Sequence, residues 1–488
     1  MSRALRFLRA LLLLVAAVAA APAYAAGPTL VRANGNEPGT LDPQKYMLLS
    51  EDTILRDLFE GLTTQDENNR FVAGMRRAVD PKTGAPYAPL ALKLLHAPEI
   101  LAGKMPPESL GVEAPDATTV IVKLAVPSPL VPYLLSQPIF SPVPRHALAA
   151  RGDDWIKPGV MVSNGAYALA QWDPSVEVRL KRNPHFHAVS SVHVAEVVFL
   201  PSDDEEMALR RYRAGEIDVL PAIPVAKLEW ALRTVPDQLS LLPVTQIRYL
   251  EINHTRGKLK DVRVRRALAM AIDRDTLAGR LMYSAAIPAY GIAPREEDGY
   301  RGADFDFANL PEAARLAEAQ RLLAEAGYGK DNPLVIELRS PADAWAKSVA
   351  VAITAMWQKA GVQAEARIEE ARSHYAAVRQ GDFDIAMTSL FASNDPEQFF
   401  WLFQTGNVMN ASGFSDPEFD RLSLDAEATM ELTPRYRRFA EAEAVLDRQV
   451  AAIPLFWTLQ ATLIAERVKG LQPTPTGLTR SRYATLAP

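Results

Sequence analysis

The stretch from Tyr249 to Asp275, YLEINHTRGKLKDVRVRRALAMAIDRD, constrains the fold more than any other part of the chain. A short strand-like run passes through a polar turn into an Asp-Val-Arg start and a helix that closes on Ala-Ile-Asp-Arg. Val262, Ala267, Leu268 and Ala271 recur at helical spacing, while Arg263, Arg265, Arg266 and Arg274 take the other positions. Asp261 is placed to accept hydrogen bonds as the N-cap. The pattern predicts a strand followed at once by an amphipathic helix.

The same succession recurs along the chain. Leu30 to Ala33 reads as a strand, and Ser50 to Leu62 as a helix capped by Ser50. Thr119 to Leu124 and Val176 to Leu180 alternate as strands do. Pro311 to Ala326 is a helix that stops at Gly327, a normal C-terminal cap. A strand at Leu334 to Leu338, a helix at Ala346 to Lys359 and a strand at Gln363 to Ile368 follow. Ser415 to Glu418 opens a further helix with capping-box spacing and an early proline. Strands alternating with helices predict an α/β fold.

Arg3, Arg6 and Arg9 precede an apolar run from Ala10 to Ala21, and Ala23-Tyr24-Ala25 offers a small-x-small cleavage site. A bilayer-spanning helix needs about 20 apolar residues, so residues 1–25 read as a secretory signal and the destination as the periplasm. With no cysteine there is neither an acylated-Cys anchor nor a disulfide. The formal net charge is −5, without a basic field, which argues against nucleic acid as a partner. A chain of 488 residues exceeds one ordinary core and predicts two or three domains.

Several strings occur in a fixed order. RANGNE at 32–37, with Leu41-Asp42-Pro43, precedes RDLFEGL at 56–62 and AVDPKTGAPYAP at 78–89. VSNGAYAL at 162–169, RNPHF at 182–186 and RYRAGEIDVL at 211–220 follow, then IPAYGIAP at 287–294, LLAEAGY at 322–328 and QGDFDIA at 380–386. Singly they have bland readings: Asn164-Gly165 is a hairpin signal and Asn183-Pro184 a turn starter. Together with the 249–275 stretch they resemble, over nearly the whole chain, the family 5 extracellular solute-binding proteins. Those proteins serve ABC importers and bind oligopeptides, murein peptide or dipeptides.

The resemblance implies a periplasmic binding protein type II-like α/β fold, two lobes with a ligand cleft and an extra domain. Domain I would combine residues 27–56, 161–245 and 461–488; domain II, 57–160; domain III, 246–460. It implies a monomer without cofactor or metal, whose partners are a peptide or peptide-like ligand and the permease subunits of an inner-membrane transporter. The ligand would lie extended and add backbone hydrogen bonds like an extra strand. Tyr249 and Glu251 match the strand whose side chains face the ligand in that family, with Glu251 near the far end. Arg379 would offer charge to a carboxylate or else stand as a solvated helix-end cation, and Asn34, Glu37 and Tyr87 join the candidate ligand-binding residues.

Two departures stand out. The family follows QGDFDIA with an aromatic residue and Ala-Asp-Tyr, whose acid grips the peptide α-ammonium. Here the string is Leu390-Phe-Ala-Ser-Asn-Asp-Pro396, and Ser393 stands at the acid's place. Asp395 or Glu37 would then supply the anchor, or Asp395 would merely cap the helix near Pro396. The family also carries about forty residues between the positions of Met75 and Arg76, and a domain reduced that far buries less of its surface. An open strand edge and an uncovered apolar face are the expected result.

No nucleophile elbow, His-Glu-x-x-His or phosphate loop is present, so an enzyme is not expected. His185, His187 and His193 are the best metal-like group, but a solvated turn accounts for them better. Asp203 to Glu206 reads as a solvated helix start. The alternative functions are binding of murein peptide, dipeptide or a non-peptide solute, and behind them a periplasmic hydrolase or metal-binding protein on the same scaffold.

Overall fold

The computed structural model describes residues 27–61, 70–116, 119–295, 299–391, 395–471, 473 and 479–487; residues 1–25, expected to be a secretory signal, and Ser393 lie outside them. Strands β1 (Thr29–Ala33), β2 (Val112–Glu113), β3 (Ile121–Val122), β4 (Tyr167–Asp173), β5 (Glu177–Arg182), β6 (Glu196–Leu200), β7 (Val219–Leu220) and β8 (Leu239–Ile252) come first. Then follow β9 (Ala286–Pro288), β10 (Val335–Pro341), β11 (Gln363–Glu369), β12 (Ile385–Phe391), β13 (Ala452–Ile464), β14 (Val468–Lys469) and β15 (Thr485–Leu486). Eleven of them make one sheet in the order β11-β10-β12-β8-β13-β7-β1-β6-β5-β4, with β9 added to β13.

The two longest strands lie at the centre of this sheet and are shared by its two halves. β8 and β13 pair antiparallel from Glu251 with Ala452 to Leu239 with Leu463, and β13 is irregular at Pro454/Phe456 and Trp457/Leu459. β12 pairs with β8 from Gln246 to Ile252. β7 meets β13 only at Leu463 and Ile464. One half of the sheet is therefore built on β10, β11 and β12, and the other on β1, β6 and β7.

Strand direction then places the cleft. β12 runs parallel to β13, since both oppose β8, and β10 and β11 run parallel to β12. Their carboxyl ends point toward the other half. β7 opposes β13, and β1 and β6 run with β7, so their carboxyl ends point back. Open α/β sheets bind ligands at such strand ends, where the topology switches. Helices Leu49–Leu58 and Glu205–Arg213 start beyond β1 and β6; helices Ala344–Lys359 and Ala371–Arg379 start beyond β10 and β11.

Burial follows the alternation of each strand. Leu250, Ile336, Leu338, Met387 and Ile453 pack on Leu268, Leu322, Ile353 and Trp357 from the helices on one face. Ile247 and Tyr249, from the opposite face of β8, pack with Phe400, Phe419 and Phe439. In the other half Leu30, Tyr167, Leu180 and Val197 join Met75, Leu94, Ile100 and Val112 in a shared core.

That last cluster corrects the expectation of an uncovered apolar face in residues 57–160. β2 and β3 form only a detached ribbon, yet Met75, Val79, Ile100 and Val112 are all fully buried. Helix Arg70–Val79 supplies the cover. The 119–124 strand shrinks to β3 and a bridge from Leu124 to Leu94.

The helix Val262–Met270 is also less amphipathic than predicted. Asp261 caps it, accepting from Arg263 N at 2.9 Å, but of the four arginines only Arg263 is exposed. Arg265 donates to the carbonyls of Leu259, Lys260, Gln449 and Val450. Arg274 donates to Ala289 and Pro454, both at 2.8 Å. Buried charges persist when hydrogen-bonded, and these arginines close helix and strand ends by binding their free carbonyls. Burial lowers both guanidinium pKa values to about 10.

Two predicted caps move as well. Helix Leu49–Leu58 is capped at Leu48, where Glu51 Oε2 accepts from Met47 N at 2.6 Å and Leu48 N at 3.0 Å. Helix Pro417–Glu427 is capped by Asp416, which accepts from Glu418 N and Phe419 N, while Ser415 bonds Thr405. Asn164-Gly165 is no hairpin tip: Asn164 exchanges two 3.1 Å bonds with the Glu60 main chain. A Cβ on Gly165 would stand 2.5 Å from the Leu58 carbonyl carbon, so only glycine allows this approach.

Candidate functional site

Contacts cross the cleft between the opposed helix starts. Arg372 reaches Glu51 at 3.7 Å. Arg379 Nη2 lies 3.9 Å from Met47 Sδ. Tyr87 donates to the Met47 carbonyl at 3.1 Å and packs on Tyr46, ring centroids 4.7 Å apart. The structure thus brings Tyr87 and Arg379 to one place, over the loop before Leu49.

Asn34 and Glu37 have local duties. Asn34 Nδ2 donates to Ser50 O at 3.1 Å and is buried. Glu37 accepts from Ser175 N at 3.0 Å and Trp172 Nε1 at 3.4 Å, holding the turn between β4 and β5.

Asp395 is committed too. It caps the following helix by accepting from Glu397 N at 2.9 Å, and it takes two bonds from Arg435, at 2.9 and 3.1 Å. Arg435 is fully buried and also binds Glu397 Oε2 at 2.5 Å. From the 57–160 region Lys93 enters the same network, 2.9 Å from Glu397 and in close contact with Glu427. Its ammonium lies 5.8 Å from the Trp401 ring. Burial, and then the Glu427 charge, push the Glu397 carboxyl up to about 7 against the pull of Lys93 and Arg435. The signal for Lys93 was available: it is the one charge in the run LALKLL at 90–95.

Tyr249 and Glu251 lie on one face of β8. Tyr249 bonds Thr388 on β12, and burial holds its hydroxyl far above the usual range. Glu251 is 4% exposed and has no hydrogen-bond or ion-pair partner among the described residues. Burial alone pushes its carboxyl up to about 8. It is therefore neutral at pH 7 rather than a charge presented to a ligand.

Arg248, one residue before Tyr249 and so on the opposite face of β8, was missed. It pairs with Ser389 and Phe456 in the sheet and projects its guanidinium over Trp345, 4.2 Å from the ring centre. Trp345 opens the Ala344–Lys359 helix. Burial lowers the Arg248 pKa against the pull of Tyr375 and Asp343. Tyr375 also acts on the titration of Tyr87 and Tyr249, so residues from three segments converge here. A basic residue inside the apolar alternation of a central strand was the clue.

His187 bonds Glu60 at 2.9 Å, and no group of three metal-ligating side chains occurs among the described residues. A groove of about 930 Å³ between Leu323, Tyr328, Gln358 and Gln363 lies at the β10–β11 edge and includes none of the cleft residues.

Residues 69–411 match the bacterial extracellular solute-binding proteins, family 5 (middle). The chain is 32% identical over 484 residues to the periplasmic oligopeptide-binding protein OppA of Salmonella typhimurium, spanning 91% of this chain and 89% of that protein. It is 31% identical to the probable deoxycholate-binding periplasmic protein YgiS of Escherichia coli, spanning 95% and 96% of the two. The Escherichia coli murein tripeptide binding protein MppA superimposes with a TM-score of 0.87 at 28% identity, over 95% of this chain and 99% of that one. The unliganded open form of MppA, with 98% of its chain covered, gives 0.70. The lobes here are thus set closer to the former arrangement than to the open one.

Proposed function

The chain belongs to the bacterial extracellular solute-binding proteins of family 5, and from that premise we propose that it captures a peptide or peptide-like solute for an ABC importer. The observation that carries this reading is the pair of strands, β8 and β13, that run through both halves of the sheet above a cleft lined by opposed strand ends. Bending of such shared strands lets the halves close on a ligand and release it. The hinge would divide the chain into residues 27–56, 161–245 and 461–488 on one side and 246–460 on the other, with 57–160 as a third part. Export to the periplasm through a cleaved leader, a monomeric state and delivery to a membrane permease complete the proposal. The periplasmic names of its relatives support it.

The test is a panel of di- to pentapeptides together with deoxycholate, read by thermal shift and then by mass spectrometry. A captured solute stabilises the folded state by mass action and emerges unchanged. Cleaved peptides, or no response to any member, would sink the reading. The non-peptide alternative draws support from one observation: Asp395, Glu397 and Glu427 already hold cations of the chain itself.

A further inference from the structure

Charge pairing around the cleft is uneven. Near the end of β12 the carboxylates are satisfied internally: Asp395 by Arg435, Glu397 by Arg435 and Lys93, Glu427 by Lys93 and Gln404. Glu251 holds its proton at neutral pH. None of the four offers a free anion to an ammonium group.

Arg248 stands in the opposite condition. It is half-buried, and among the described residues no carbonyl or carboxylate oxygen accepts a hydrogen bond from its guanidinium. Asp343 is close enough to favour its charge, yet forms no ion pair with it and is exposed. Trp345 holds the guanidinium across its ring at the first turn of a helix of 16 residues. No side chain caps that helix, so its leading N–H groups are free of a side-chain acceptor. An arginine edge beside an uncapped helix start is chemistry for an anion, and most of all for a planar carboxylate.

We propose, building on the capture reading, that Arg248 anchors a carboxylate of the solute and that the solute needs no ammonium group. The carboxylate would take paired bonds from the guanidinium and further bonds from the helix start. The class is an acid with an apolar body, whether an amine-blocked peptide or a carboxylic acid that is no peptide.

Isothermal titration at pH 7 would compare Ala-Leu-Phe with its N-acetylated and C-amidated forms, and deoxycholate with its methyl ester. The wild type and Arg248→Gln and Arg248→Lys variants are used as full chains. Acetylation should leave the affinity within about 3-fold, while loss of the carboxylate should weaken it about 30-fold or more, the usual effect of removing one partner of a desolvated charge pair. Arg248→Gln should bring the free acids down to the level of the amide and ester without changing those two. Arg248→Lys should restore part of the difference, and its urea midpoint reports folding independently. Peptides that bind but lose more than about 10-fold on acetylation, or nothing on amidation, would overturn the anchor and leave capture standing. Failure of every probe to bind would overturn both.

Discussion

Replacing Glu251 with Gln should stabilise the protein, by an amount that grows with pH. The carboxyl is 4% exposed, lacks a partner among the described residues, and is raised from 4.5 to about 8 by burial. Below the unfolded value both states are protonated, and this group adds no pH dependence. Between the two values the unfolded chain releases the proton and the folded chain keeps it, so stability falls as pH rises. At 1.36 kcal/mol per unit the loss is roughly 3 kcal/mol at pH 7 and levels off near 5 kcal/mol above the folded value. Gln keeps the shape and cannot ionise, so it escapes the loss. Urea unfolding of both proteins at pH 5, 7 and 8.5 should show a gap below about 1 kcal/mol at pH 5 that widens to about 3 at pH 7. Parallel pH profiles, or a Gln variant less stable at pH 7, would refute the reasoning, because either means the carboxylate is ionised and paired in the fold.

Lys93→Met leaves Glu397 and Glu427 without their shared cation and should cost about 3–5 kcal/mol. The loss should be greater at pH 8 than at pH 6 in urea unfolding, as protonation of Glu397 relieves the repulsion at the lower pH. Asp395→Asn removes one of the two charged partners of Arg435 and should cost about 2 kcal/mol of stability. Peptide affinity should stay within a few-fold; a large affinity loss at unchanged stability would make Asp395 a ligand anchor after all. Limited proteolysis should cut within 75–106 no sooner than the rest of the core, because Met75, Leu94 and Ile100 share that core. Early cleavage there would show that region to be loosely held.

The alternation of strands and helices was readable because the periods that encode it are local. Thirteen residues of β13 and fourteen of β8 could not reveal from sequence that they serve both halves of the sheet, since that depends on which partners flank them. The arginines failed for a related reason. Arg265 and Arg274 look like surface charges by spacing, yet their acceptors are main-chain carbonyls of Gln449 and Pro454, far along the chain. For Asp395 the sequence left an anchor and a cap equally open, and the deciding neighbour, Arg435, lies 40 residues away. Lys93 and Arg248 were visible as lone charges in apolar runs, but their opposite fates, one paired and one without an acceptor, are set by packing.

The sharing of β8 and β13 also governs where this chain can change length. Removing one residue from either strand would turn every later side chain of that strand to the opposite face. Because each strand lines two cores, the slip would expose apolar side chains in both halves at once. Segments that only hang from the sheet face no such rule. A junction such as Met75–Arg76, inside a helix that packs beside the sheet without joining it, can lose whole elements and still close over its neighbours. Length variation among natural forms of this architecture should therefore be plentiful in 57–160 and absent from 239–252 and 452–464.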